Sequence, residues 1–97
     1  MSEVRLHATF TVKNEETFLR DVKSMISATQ GEKGCIHCAL YEEIDGVSKS
    51  KSYTIIETWA SAEDLEAHSK SDHVKKRRKI FEDKHKARWR ALIKVQG

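Results

Sequence analysis

Apolar residues in this chain switch from a spacing of two to a helical spacing and back, and the order of those switches limits the fold more than any other feature. Leu6, Ala8, Phe10 and Val12 alternate with polar neighbours, the period of a half-buried strand. Asn14 then stands as an N-cap, Glu15 and Glu16 put acids in a first turn, and Phe18, Leu19, Val22, Met25 and Ile26 recur at helical spacing. Gly31 and Gly34 end that helix. A strand follows from Cys35 to Glu43, with Ile36, Cys38 and Leu40 expected on one face. Asp45-Gly46 and Ser48 to Ser52 read as a turn into the strand Tyr53 to Trp59, whose residues Tyr53, Ile55, Glu57 and Trp59 share a face. Ser61 and Asp64 then open a short helix that carries Ala62, Leu65 and His68 on one side. After a polar break at Ser69 to Ser71, a second helical stretch from His73 to Lys84 carries Val74, Ile80 and Phe81. Trp89 to Val95 closes the series as a strand.

Strand, helix, strand, strand, helix pair, strand is the split β-α-β order of ferredoxin-like folds, so the expected class is α+β: one antiparallel sheet with helices on one face. A chain of 97 residues has room for one such domain, spanning residues 1–97. The opposite face is expected to carry Cys35, Ala39, Tyr41 and Ile56 among threonines and histidines. Covering it with a second copy gives a homodimer.

Composition removes several alternatives. With 38% hydrophobic and 34% charged residues distributed along its length, the chain has the apolar content to fold. No stretch approaches the roughly 20 apolar residues of a membrane span. The start, Met1-Ser2-Glu3, leads directly into a polar alternating segment without a secretory apolar run, which points to a cytoplasmic protein. Cys35 and Cys38 are too few for a disulfide framework and are expected as thiols. Although Cys35-Ile36-His37-Cys38 matches Cys-x-x-Cys, residues three apart on a regular strand face opposite sides, so a shared metal is not expected. The run Lys75-Lys76-Arg77-Arg78-Lys79 could release counterions from a polynucleotide, but its helix has no base-stacking residues and reads as a solvated face. Arg77 or Arg78 could instead turn inward toward an anionic substrate.

Two side chains carry chemistry. Glu57 falls on the helix-facing side of its strand, where a carboxylate is costly unless paired. It is either a base or substrate-orienting group, or one half of a structural ion pair. His68 lies on the apolar side of its helix, where imidazole can take a proton near neutral pH or simply pack and hydrogen-bond. Trp59 and Tyr53 belong to the core and could also wall a planar ligand.

Three segments in order, Glu32-Lys33-Gly34-Cys35, Ile56-Glu57-Thr58-Trp59 and Leu65-Glu66-Ala67-His68-Ser69-Lys70-Ser71-Asp72-His73, resemble the antibiotic biosynthesis monooxygenase family. The resemblance covers nearly the whole chain. It implies a dimeric α+β barrel, a small aromatic or quinol-type substrate, and oxygenation without metal or organic cofactor. It also implies that His68 is the catalytic base with Glu57 as its orienting partner. The substrate would be walled by Trp59, Cys38, Leu40, Ile55 and Leu65, with His73 and Arg78 at its edge. Two positions depart from relatives. The family's Gly-Cys-x-x-Tyr pattern has Cys38 in place of tyrosine, which removes a phenolic donor. Arg78 lies nearest the position where haem-degrading relatives carry an iron-binding histidine, so haem is not expected. Isomerases of small signal molecules and non-catalytic binding proteins share this architecture, and both remain alternatives.

Overall fold

The computed structural model describes residues 3–44 and 52–97. Its elements are β1 (Val4–Thr11), α1 (Glu15–Gln30), β2 (Cys35–Glu42), β3 (Ser52–Trp59), α2 (Ala62–Lys70), α3 (Asp72–His85) and β4 (Arg88–Ile93). The four strands form one antiparallel sheet in the order β2-β3-β1-β4, with β3 and β1 central. This is the ferredoxin-like α+β arrangement that the periodicity predicts. The expected turn at Asp45-Gly46 lies outside the described residues.

Alternation decides which side chains enter the core. Val4, Leu6, Ala8 and Phe10 of β1 pair with Trp59, Glu57, Ile55 and Tyr53 of β3, and all eight are buried. The helices cover this face. Helix α1 contributes Phe18, Val22, Met25 and Thr29, one stripe at helical spacing, and Asn14 caps it by accepting from the Thr17 N–H at 3.0 Å. Helix α3 contributes Val74, Phe81 and His85, with Arg78 half-buried on the same stripe. Phe10, Phe18 and Phe81 meet at ring distances of 5.0 and 5.6 Å and form the centre of the larger core cluster. His85, 3% exposed, packs edge-on against Phe18 and bonds Asp21 at 3.1 Å, joining the end of α3 to α1.

Five expectations are corrected. A β-bulge between Cys35 and His37 shifts the β2–β3 register by one residue, so Cys35, not Ile36, faces the helices with Cys38. Ile36 is 56% exposed. The two thiols therefore share a side of the sheet, contrary to the regular-strand argument, and both are free. On α3, Ile80 is 47% exposed because the buried stripe runs through Val74, Arg78, Phe81 and His85. On α2, Ala62 is exposed while Leu65 and His68 are buried. The break between α2 and α3 narrows to Ser71.

The turn between α1 and β2 fixes how closely α2 approaches. Gly34 has φ +84°, a conformation that L side chains rarely adopt, and its carbonyl accepts from the Ala60 N–H at 2.8 Å. A Cβ at Gly34 would lie 2.4 Å from Cγ of Asp64. Asp64 cannot retreat freely, because Ser61 Oγ donates to its carboxylate while accepting from its backbone N–H. Gly34→Ala should therefore lower unfolding free energy by more than about 1 kcal/mol, read as a lower urea midpoint. An unchanged midpoint would show that the turn does not need glycine.

Candidate functional site

The inward faces of β3 and α2 bring Glu57 and His68 into one neighbourhood. Glu57 is 3% exposed and accepts from Trp59 Nε1–H at 2.9 Å. Burial raises its carboxyl pKa above the ordinary 4.5, with the nearby Glu32 adding to the rise; the Trp59 donor, His68 and Arg78 oppose it. His68 is 8% exposed, its ring 4.7 Å from that of Trp59. Its Nδ1 lies 2.5 Å from Glu32 Oε2, a partner 36 residues away in sequence.

A recess opens beside this pair. Its wall consists of Met25 and Thr29 from α1, Glu57 from β3, His68 from α2, Val74, Arg77 and Arg78 from α3, and Trp89 from β4. The space between these atoms is about 260 Å³ with its mouth included, yet the closed interior admits little more than a water molecule. Two donors on the wall have no partner among the described residues: Arg78 Nε and Trp89 Nε1 are both buried and unbonded. The Arg78 guanidinium lies over the Trp89 ring at 5.1 Å and donates through Nη2 to Ser69 Oγ at 3.0 Å. Unbonded buried donors cost about 1–3 kcal/mol each, a cost that an acceptor reaching them would recover. Among the described residues no three His, Cys, Asp or Glu side chains gather in a group that could hold a metal ion, and no helix is long and apolar enough to cross a membrane.

The expected site residues divide into four groups, the last being His73 alone. Glu57, His68 and Arg78 come together on the recess. Trp59 and Leu65 lie behind His68 in the smaller core cluster, where Trp59 also walls an open depression with Glu32, Lys33, Asp64 and Ala67. Cys38, Leu40 and Ile55 belong to the main core, with Cys38 paired across the sheet to Glu57, and none of them lines the recess. Burial and the nearby Glu57 push the Cys38 thiol up to about 12, so it is inert at neutral pH. Tyr53 is committed elsewhere, donating to Glu15 at 2.7 Å and packing on Phe18. His73 is exposed on the first turn of α3, away from the recess. Sequence reasoning missed Glu32, Thr29, Met25 and Trp89. Met25 left a signal in its helical spacing, and Trp89 in its strand parity, since pairing β4 to β1 sets it opposite Ala8 and hence inward.

The family model described as antibiotic biosynthesis monooxygenase matches residues 3–79. Among solved structures, SnoaB of Streptomyces nogalater, a cofactor-independent oxygenase seen as a mutant, superposes with TM-score 0.84 at 16% identity, covering 100% of this chain and 97% of that one. A conserved protein from Methanosarcina mazei gives TM-score 0.79 at 27% identity, with 100% and 95% covered. A conserved protein of unknown function from Bacteroides thetaiotaomicron gives 0.79 at 26%, with 96% and 98% covered. No curated protein matches the chain.

Glu57 makes stability depend on pH with a definite sign. The folded chain holds its proton more tightly than the unfolded chain, so this contribution is complete below the ordinary value of 4.5 and is lost as pH rises through the raised value. Glu57→Gln is neutral throughout and should lack that loss. Urea unfolding of both proteins from about pH 4 to about pH 8 should show wild type losing stability relative to the variant as pH rises. Parallel curves would contradict a raised Glu57.

Proposed function

Because the chain belongs to the antibiotic biosynthesis monooxygenase family, we propose that it oxygenates a small hydroxylated aromatic, of the hydroquinone type, without a metal or organic cofactor. The observation that carries this reading is the pair of unbonded buried donors, Arg78 Nε and Trp89 Nε1, on the same wall as His68 and Glu57. A phenol with its oxygen between those donors has a base beside it. His68 takes the phenolic proton, and the phenolate oxygen accepts from Arg78 and Trp89, which favours the ionised form in a site with little water.

A phenolate is electron-rich enough to pass one electron to oxygen, and recombination of the two radicals forms a ring carbon–oxygen bond. Breaking the O–O bond leaves one oxygen atom on the ring and releases the other as water, with the two hydrogens lost by the substrate. For a hydroquinone the product is a hydroxyquinone. In this reading Glu57, held toward its protonated form by burial, protonates the departing oxygen. The protein supplies orientation, a base, an acid and a dry cavity. Arg77 is the adjustable part of the wall, since it is long and half-buried, and a ring enters by displacing it while Arg78 stays held by Ser69 and Trp89. The SnoaB resemblance agrees with oxygenation without a cofactor and says nothing of this substrate.

The uncovered sheet face supports the dimer. Tyr41 (44% exposed) and Leu92 (39%) lie on it with Ala39 and Ile56, apolar side chains set among Arg5, His7, Thr9, Arg88 and Arg90 that a second copy would cover. Sedimentation at micromolar concentration should give the dimer mass; a monomer would overturn this part of the reading.

Oxygen uptake with a panel of hydroquinones tests the reaction. Uptake should need no added cofactor, and His68→Ala should slow it by about 100-fold. No uptake across the panel, or full activity in the variant, would refute the assignment.

A further inference from the structure

His68 has two ring nitrogens, and the structure commits only one. Nδ1 lies against the Glu32 carboxylate, and Nε2 has no hydrogen-bond partner among the described residues. An ionised carboxylate only accepts, so the nitrogen bonded to it carries the hydrogen. In a neutral imidazole the lone pair then falls on Nε2. From this geometry we infer that Glu32 is the positioning residue of the site, fixing His68 in the tautomer whose Nε2 can act as a base. This rests on the reading of His68 as the proton acceptor.

The surrounding structure holds Glu32 in place for this. Its backbone is pinned in the α1–β2 turn, where its N–H donates to Thr29 O at 3.1 Å and its carbonyl accepts from Cys35 N–H at 3.2 Å. Gly34, lacking a Cβ, lets that turn lie against Asp64, and His68 follows Asp64 by one helical turn on α2. Close approach of the turn to α2 thus sets the Glu32–His68 contact. The His68 ring is held on its other side by Trp59.

The proton-transfer step balances without an additional reactant. The phenol O–H bond breaks, its electron pair stays on oxygen, and a new N–H bond forms at Nε2. The imidazolium that results is stabilised by the adjacent Glu32 carboxylate, as an orienting carboxylate stabilises the histidine of a catalytic triad. Glu32 also lines the open depression on the far side of His68, so the site has a polar link to solvent. Of the other charged groups around the ring, Glu57, Arg77 and Arg78 line the recess with it and Lys33 and Asp64 line the depression, and among the described residues Glu32 is the one bonded to it.

A purely structural clasp between Glu32 and His68 would hold the same tautomer, so the tautomer tests the geometry, and the loss of kcat without loss of binding in a Glu32 variant tests the role. Nitrogen-15 correlation spectra of the full-length protein, at a pH where His68 is neutral, should show hydrogen on Nδ1 and the lone pair on Nε2. In Glu32→Gln the amide can donate to Nδ1, and the hydrogen should move to Nε2. With hydroquinone as substrate, that variant should lose about 100-fold in kcat while the dissociation constant of the hydroquinone, measured without oxygen, stays unchanged. Hydrogen on Nε2 in wild type overturns the proposal, whatever the activity. So does a Glu32→Gln variant with unaltered tautomer and unaltered kcat. Should the variant fail to fold, Glu32→Asp, which keeps a carboxylate acceptor but shortens its reach, takes its place with the same pair of readouts, and hydrogen on Nε2 in wild type still overturns the proposal. A wild-type Nε2 lone pair in a protein that consumes no oxygen would sustain Glu32 and refute only the oxygenase reading.

Discussion

A buried carboxylate organises the charged and aromatic groups of this protein. Glu57 sits on the helix-facing side of a central strand, where an ionised group is expensive unless compensated. Trp59 answers one oxygen directly, and His68 and Arg78 act against the effect of burial without fully offsetting it. These two partners arrive on different helices. The position of Glu57 therefore constrains how α2 and α3 pack over the sheet, and the recess lies where that packing stays incomplete.

The inward stripe of α3 shows how the site is built into the fold. Val74, Arg78, Phe81 and His85 take successive buried or half-buried positions, so two of the four are polar. His85 is satisfied by Asp21, whereas Arg78 keeps its Nε unbonded over an equally unbonded Trp89. Arg78 serves the fold through Ser69 and Trp89, and its Nε is the one part of the guanidinium buried without a partner among the described residues.

Much of this was legible in the sequence because it is local. Parity within β3 turned Glu57 inward, helical spacing turned His68 inward, and the order of periods fixed the sheet. The failures have a common physical origin in backbone or tertiary choices that periodicity does not encode. One extra residue in β2 exchanged Cys35 with Ile36. Arginine and histidine at positions 78 and 85 interrupted the apolar pattern, so Ile80 was read as buried when the true stripe runs beside it. Glu32 meets His68 across 36 residues, and only the closeness of the Gly34 turn to α2 brings them together. His73 was taken with its motif, but it lies on the outer surface.

The central claim is that the recess stabilises an aromatic oxyanion. Binding of para-nitrophenol tests it directly, because the phenolate and phenol absorb at different wavelengths. The account predicts that the bound molecule ionises at lower pH than the free one, since Arg78 and Trp89 donate to its oxygen and His68 accepts its proton. Ionisation at the same pH or higher, with binding established independently, would contradict it.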